Sequence, residues 1–299
     1  VKKVPPVQLR SLFLKKISLC LFLFILFIGT GPLFGAEEEV PDWLKRVEFS
    51  LQVESDQKPR LYFQTVQPLH QDQDTAPTDT IFIQPRVSLQ DERATYNLGL
   101  GYRKILSQDL LLGINFFGDY QDLHRHSRVG VGAEAFGQVF EMRTNFYFAG
   151  ISNKVAVNTT GPGVEVERVV DGADLELGMP IPYLPWLKVY GSGFWYDFKS
   201  FSNKHGWKNR LEARLNDTFK LEFYTWDDNK GDIEYGGRLR ISIAFGNPWD
   251  VADTLKVADE PFPRRNLTEQ FLIPVERDFN ITVERFTESN GLLVEAGRT

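Results

Sequence analysis

Gly236-Gly237-Arg238-Leu239-Arg240-Ile241-Ser242-Ile243-Ala244-Phe245 decides how the rest of the chain is read. In an extended strand, alternate side chains point to opposite faces. Leu239, Ile241, Ile243 and Phe245 therefore share one face, and Arg238, Arg240 and Ser242 share the other. The run closes a train of short, aromatic-rich, alternating segments separated by polar turns that begins at Thr80. In a water-soluble sandwich the charged face would meet solvent and the apolar face would form the core. In a transmembrane barrel the sense is inverted, with lipid taking the apolar face and the lumen taking the charges.

The N-terminus indicates which solvent applies. Lys15-Lys16 precede a run from Ile17 to Ile28 that is apolar except for Ser18, then small residues to Ala36 and the acidic Glu37-Glu38-Glu39. A basic flank, a short apolar run and a small-residue boundary describe a cleaved secretory signal peptide over 1–36. The run falls short of the roughly 20 residues a membrane-spanning helix needs. The lone Cys20 lies inside this signal and follows Leu19, which does not suit a lipoprotein box. The mature chain then has no thiol for a disulfide or thiolate metal site. Past Ala36 no apolar segment is long enough to cross a bilayer as a helix. Yet the chain holds 24 phenylalanines at a mean hydropathy of −0.27, as strict alternation averages out. A net charge of −6 without a basic stripe argues against nucleic acid.

The alternation predicts an all-β fold, a transmembrane antiparallel barrel of about twelve strands. The strands are Val47–Val53, Arg60–Pro68, Thr80–Leu89, Ala94–Ile105, Leu110–Asp119, Arg128–Phe136, Glu141–Phe148, Gly172–Met179, Leu187–Phe198, Lys208–Leu215, Phe219–Trp226 and Ile233–Phe245. A short lead, 37–46, precedes the barrel (47–245), and a linker of short helix and extended segment (246–299) follows it. The even connections are mostly short, Leu69–Thr78 excepted, whereas Gln121–Ser127, Ile151–Asp171 and Lys199–Trp207 are longer. Short periplasmic turns and long external loops are the barrel habit. One face of the strands gathers charges of both signs: Arg103, Glu134, Arg143, Asp174, Glu176, Arg210, Glu212, Arg214, Glu222, Arg238 and Arg240. These are expected to line the lumen, pair with one another and meet the linker, keeping the pore polar but closed. In a soluble core each would cost several kcal/mol unless paired. Trp186, Trp195, Trp207 and Trp226 fall near strand ends, where interfacial girdles belong.

Several motifs carry a family pattern: Tyr96-Asn-Leu-Gly-Leu-Gly-Tyr-Arg103, Leu112-Gly-Ile-Asn-Phe-Phe-Gly-Asp119, Arg128-Val-Gly-Val-Gly-Ala-Glu134, the turn Tyr183-Leu-Pro-Trp186, Asn247-Pro-Trp249, and Pro274-Val-Glu-Arg-Asp-Phe-Asn-Ile-Thr-Val-Glu-Arg285. With these the chain resembles, over about Val47 to Glu284, the β-domain of inverse autotransporters, the intimin and invasin family. The resemblance implies an outer-membrane anchor and secretion unit, type V in kind. Its twelve-stranded barrel is threaded by a linker, which enters as a helix, leaves extended and holds an adhesive passenger outside. Here only fourteen residues follow Arg285 and no passenger is recognisable. Either the chain is a truncated product or it is a minimal barrel with a short exposed tail. Leu239, Ile241, Ile243 and Phe245 look like the terminal signal read by barrel-assembly machinery. The partners implied are outer-membrane lipid, that machinery, periplasmic chaperones and an unidentified surface ligand.

Catalysis is not expected, and no metal or cofactor is assigned. In Asp122-Leu-His124-Arg-His126 two histidines and a carboxylate can bind metal or activate water. No second cluster in the sequence supplies partner groups. Asp227–Asp232 reads as a hairpin turn with Gly231 at positive φ rather than a calcium loop. Gly99, Gly101, Gly130 and Gly132 read as lumenal glycines that permit curvature or close approach of a plug. A porin-like channel and an adhesin acting through the external loops are the alternatives to the anchor.

Overall fold

The structure is a computed structural model that describes residues 41–71, 77–150, 154–159, 163–242, 254–289 and 291–296. The signal segment 1–36, the terminal Ile243 and Phe245, and the first residues of the expected linker helix lie outside it. Residues from Trp43 onward form one compact unit.

A four-residue helix, α1 (Asp42–Lys45), is followed by the strands β1 (Val47–Glu54), β2 (Gln57–Thr65), β3 (Gln67–Gln71), β4 (Asp79–Gln90), β5 (Arg93–Ser107), β6 (Leu110–Gln121), β7 (His126–Gly137) and β8 (Glu141–Ala149). Then come β9 (Lys154–Asn158), β10 (Val164–Val169), β11 (Gly172–Ile181), β12 (Leu184–Tyr196), β13 (Lys204–Arg214), β14 (Phe219–Asp228), β15 (Glu234–Ser242), β16 (Val283–Ser289) and β17 (Leu292–Glu295). All strand pairings are antiparallel. β2 and β3 both pair with β4 and act as one strand interrupted at Val66. β15 pairs with β1, Glu48 opposite Ser242 through Glu54 opposite Gly236, which closes a barrel of twelve strands. Closure removes the unpaired edges that an open sheet would expose.

The faces are inside-out relative to a soluble protein. Leu98 is 56% exposed, Ile114 62% and Phe223 60%, whereas their strand neighbours Asn97, Asn115 and Glu222 are buried. Continuous outward rows of large apolar side chains over a buried polar face suit lipid, not water. Of the four tryptophans expected in girdles, Trp195 and Trp207 do face outward. Trp186 and Trp226 do not. Each shares the parity of buried residues on its strand, Tyr190 and Tyr224, and the Trp226 indole donates to Glu54. Nearness to a strand end does not decide which way a side chain points; the inward parity of these two does.

Local differences from expectation have local causes. The first hairpin turns at Ser55-Asp56, so Pro59 lies within β2. The long connection after residue 69 is partly taken up by β3. Gly231 is not at positive φ; Asp228 Oδ1 instead accepts the Lys230 N–H within the turn, and Asn229 Oδ1 accepts the N–H of His205 in β13. Among the described residues a second, four-stranded sheet runs β17-β16-β10-β9. It joins a hairpin from the long connection after β8 to the C-terminal segment, a pairing the sequence did not suggest.

Candidate functional site

The site is the barrel interior together with residues 254–296. The sequence predicts about two helical turns over 250–258, broken by Pro261 and Pro263, and the resemblance implies that the linker passes through the barrel as a helix; of 250–258 only 254–258 are described. The described part, 254–282, contains instead a single turn of 3-10 helix, Leu267–Gln270, capped by the Asn266 side chain on Thr268 N–H. Pro261, Pro263 and Pro274 lack the N–H a helix requires. The carbonyls that would otherwise bond along a helix are taken by the wall: Arg103 Nη1 donates to the carbonyls of Gln270, Phe271 and Ile273 at 2.9, 3.0 and 2.7 Å. Glu134 holds that guanidinium in place through Oε2, 2.8 Å from Nη2.

Contacts along the segment fall into three groups. Residues 258–265 meet the short connections. Tyr183, at φ 66°, bonds through its backbone to Ala258 and Pro261. Arg264 pairs with Asp109, and Arg265 with Glu141 at 2.7 Å and the carbonyl of Gly137. Residues 267–281 meet inward-facing side chains. Gln84 accepts Val275 N–H at 2.9 Å, and Arg240 lies 2.5 Å from Glu276. Asp119 accepts both Arg277 and Arg128, each at 2.9 Å, and Asn97 at 2.8 Å. Asp278 accepts Tyr196 Oη–H, while its own N–H donates to Tyr147 Oη. Residues 283–295 meet the long connections: β16 pairs with β10, and Glu284 accepts the N–H groups of Ser200 and Phe201.

The charged residues singled out from sequence divide accordingly. Arg103, Arg238 and Arg240 touch the C-terminal segment directly. Glu134, Arg143, Asp174, Glu176, Arg210, Glu212 and Glu222 form the wall network that supports them. In it Glu176 takes both Arg143 and Arg210, Arg210 also pairs with Glu212, and Glu222 takes Arg238 and Arg240. Asp174 binds Asn145 and Tyr147. Arg214 is a correction. It is the last residue of β13, half exposed, and pairs with Asp217 of the next turn rather than reaching inward. Leu239 and Ile241 of the proposed assembly signal pair with Leu51 and Phe49 of β1.

The interior is also less polar than expected. Phe82, Phe117 and Val66 pack with Val275 and Phe279, and Leu111 and Phe136 pack with Leu267 and Phe271. Glycine makes room for this. A Cβ on Gly99 would lie 2.3 Å from the Phe117 ring, one on Gly101 2.2 Å from Phe82, and one on Gly130 2.5 Å from Arg277. The signal was present in the inward parity of Leu111, Phe117 and Phe136. Asp119, Arg128, Gln84, Tyr147 and Tyr196 were likewise missed as segment contacts, since nothing in the sequence pairs them with 275–279.

Above these groups sits the histidine cluster. Its missing partner is Glu167 of β10, whose Oε2 lies 2.7 Å from both His124 Nδ1 and His126 Nε2. Burial alone would raise the Glu167 carboxyl. The hydrogen bonds from His126, Arg285 and His124 outweigh it and hold the group well below the usual carboxylate range.

The family described as "Inverse autotransporter, beta-domain" matches residues 32–278. In Escherichia coli K12 the chain is similar to a putative attaching and effacing protein homolog, 29% identical over 51% of this chain and 50% of that protein. It is also similar to the inverse autotransporter adhesin YeeJ, 31% identical over 70% of this chain and 9% of that protein. The chain thus spans half or less of the length of these relatives. A structure solved in work on in-meso crystallization of membrane proteins shares the fold. It has a TM-score of 0.61 at 22% identity, over 80% of this chain and 99% of that one. By its family match and its closed barrel, the chain belongs to the inverse autotransporter β-domain family.

Proposed function

We propose that this chain is a non-enzymatic outer-membrane anchor and translocator whose C-terminal segment runs through the barrel from the periplasmic mouth to the cell surface. The observation that carries this reading is the order of contacts. Along the sequence the segment meets first the short turns, then the inward face, then the long loops. In bacterial outer-membrane barrels short turns face the periplasm and long loops face outward. Backbone inside such a barrel must find hydrogen-bond partners in the wall, and Arg103, Gln84, Asn97 and Tyr147 supply them. The N-terminal 1–36 would act as the cleaved export signal, and periplasmic chaperones and the barrel-assembly machinery, reading the alternating run Leu239, Ile241, Ile243 and Phe245, would deliver and insert the barrel. An adhesive role through the external loops would require a surface ligand.

The test is an epitope tag after Thr299, with protease added to intact and to permeabilised cells. Loss of the tag from intact cells is expected. A tag cut only after permeabilisation would refute surface passage. A second reading, a small-solute channel, draws on a cavity of about 320 Å³ between the segment and the wall, lined in part by Arg60, Arg86, Lys208 and Arg238. Conductance separates the two, because an anchor plugged by its own segment is nearly silent, and deleting residues from 250 onward opens it.

A further inference from the structure

We propose that His124, His126 and Glu167 form a binding site for a divalent transition-metal ion of the zinc class, tying β10 to the turn between β6 and β7. Nδ1 of His124, Nε2 of His126 and a Glu167 carboxylate oxygen all lie within 4.8 Å of one another. Two imidazoles and one carboxylate are donors that suit zinc, and three protein ligands leave one position open. The side chains of His126 and Glu167 are fully buried, while that of His124 is 19% exposed, so the site has one opening to solvent. Arg125, between the two histidines, is at φ 55°. A non-glycine residue in that region costs energy, and such outliers gather where side chains are held for function.

The two carboxylate oxygens have separate surroundings. Oε1 takes the guanidiniums, Arg285 Nε at 2.9 Å and Arg93 Nη2 at 3.9 Å, and Oε2 takes both imidazoles. A donor on the outer oxygen orients a ligating carboxylate without occupying its coordinating atom. Local charge does not repel a cation either. Glu165 lies 3.6 Å from Arg285, so two carboxylates balance the two guanidiniums. Tetrahedral bonds of 2.0–2.1 Å separate ligand atoms by roughly 3.3 Å, so the 2.7 Å contacts must open by about 0.6 Å and the two ring nitrogens, within 4.8 Å of each other, must close by up to about 1.5 Å. His124 sits in a turn at the solvent edge and can supply that movement. Among the described residues the buried Nδ1 of His126 has no partner, and ligation through Nε2 places the imidazole proton there, a cost the metal bonds must outweigh. Through the pairing of β10 with β16, an ion here would also fasten the C-terminal segment where it meets the long loops. The site itself rests on the cluster alone and stands whether or not the segment is exported.

The test uses the full-length, untagged barrel in detergent with Co²⁺ and Zn²⁺ as probes. One ion per chain is expected by calorimetry, with a cobalt absorption spectrum of low coordination number. Glu167→Gln and His124→Gln should each weaken binding about 100-fold or more, beyond the 10–100-fold typical of losing an outer partner of a ligand. Equal affinity in wild type and both variants would mean adventitious binding at His70 or His205, and would overturn the proposal, as would no binding. A second measurement needs no variant. Zinc at 100 times its dissociation constant should slow proteolysis of 283–296 about 100-fold relative to chelator, if the ion must leave before that sheet opens. Unchanged proteolysis in the metal-loaded protein would refute the tie between β10 and the turn.

Discussion

Replacing Asp119 by asparagine tests whether buried charge pairing holds the C-terminal segment in the barrel. Asp119 is the common acceptor for Arg128 of the wall and Arg277 of the segment, and the side chains of all three are at most 1% exposed. In the Asp119→Asn variant, a docked Arg277 keeps its charge but loses the compensating carboxylate and still lies beside Arg128. Breaking one side of a buried pair costs about 3–5 kcal/mol, which is roughly two to three and a half orders of magnitude in the docked-to-released ratio. Arg277→Met should do much less. It removes the charge that needs compensation, Asp119 keeps Arg128 and Asn97, and the thioether falls among Phe117, Tyr147 and Phe279. The loss expected is about 1.5 kcal/mol or less. In the double variant Arg128 lacks Asp119 in both states and meets the Asp278 carbonyl only on docking, so docking should return at least to the Arg277→Met level. The assay is open probability in planar bilayers, with heat-dependent gel mobility confirming that each barrel has assembled. If Asp119→Asn stays as silent as wild type, or opens no more than Arg277→Met, buried ion pairing does not hold the segment.

Phe271→Ala empties the apolar cluster with Leu111, Phe136 and Leu267, and should cost docking about 3–5 kcal/mol. Conductance should rise while the barrel still assembles. Leu100→Arg puts a charge on the lipid face and should lower unfolding stability in vesicles by about 2–4 kcal/mol if the site lies near the bilayer midplane. No loss in a urea titration would contradict the outward assignment of that face. Arg214→Ala breaks only an exposed pair with Asp217 and should change stability by less than about 1 kcal/mol, read in the same titration.

The barrel was legible because its physics is local. Period-two alternation assigns each strand residue to a face, and turn residues mark the ends, so the twelve strands could be read within a few positions. Arg103 and Arg240 were legible for the same reason: charge on the face opposite a lipid row has nowhere to go but inward. Trp226 and Arg214 show the limit. Nearness to a strand end places Trp226 in a girdle, but its parity turns it inward; Arg214 has the inward parity, but as the last residue of its strand it is taken by the turn at Asp217. The partners of Arg277, Glu276 and Glu167 were not legible at all. They lie 158 residues away at Asp119, in β15 at Arg240, and at His124 in the β6–β7 turn and His126 at the start of β7. Such contacts depend on how the segment is registered within a closed wall, and no periodicity encodes that. Aromatic residues on the inward face could have warned that the interior is partly apolar, because Phe117 and Phe136 have the parity of Asp119 and Glu134.

Two kinds of contact act on the segment, and only one fixes its register. Arg103 reads three backbone carbonyls, which every residue offers, so this contact would survive a slip along the chain. The run Glu276-Arg277-Asp278 is different. Glu276 lies against Arg240 and Arg238, Arg277 lies against Asp119, and the Asp278 carboxylate accepts the Tyr196 hydroxyl. A slip of one residue in either direction would bring an acidic side chain toward Asp119 and Arg277 toward a wall arginine or out of pairing. Like charges buried together cost more than the lost pairs alone. Alternating charge within three residues, flanked by Phe271 and Val275 on one side and Phe279 on the other, therefore specifies a single stopping point in a wall that would otherwise tolerate sliding.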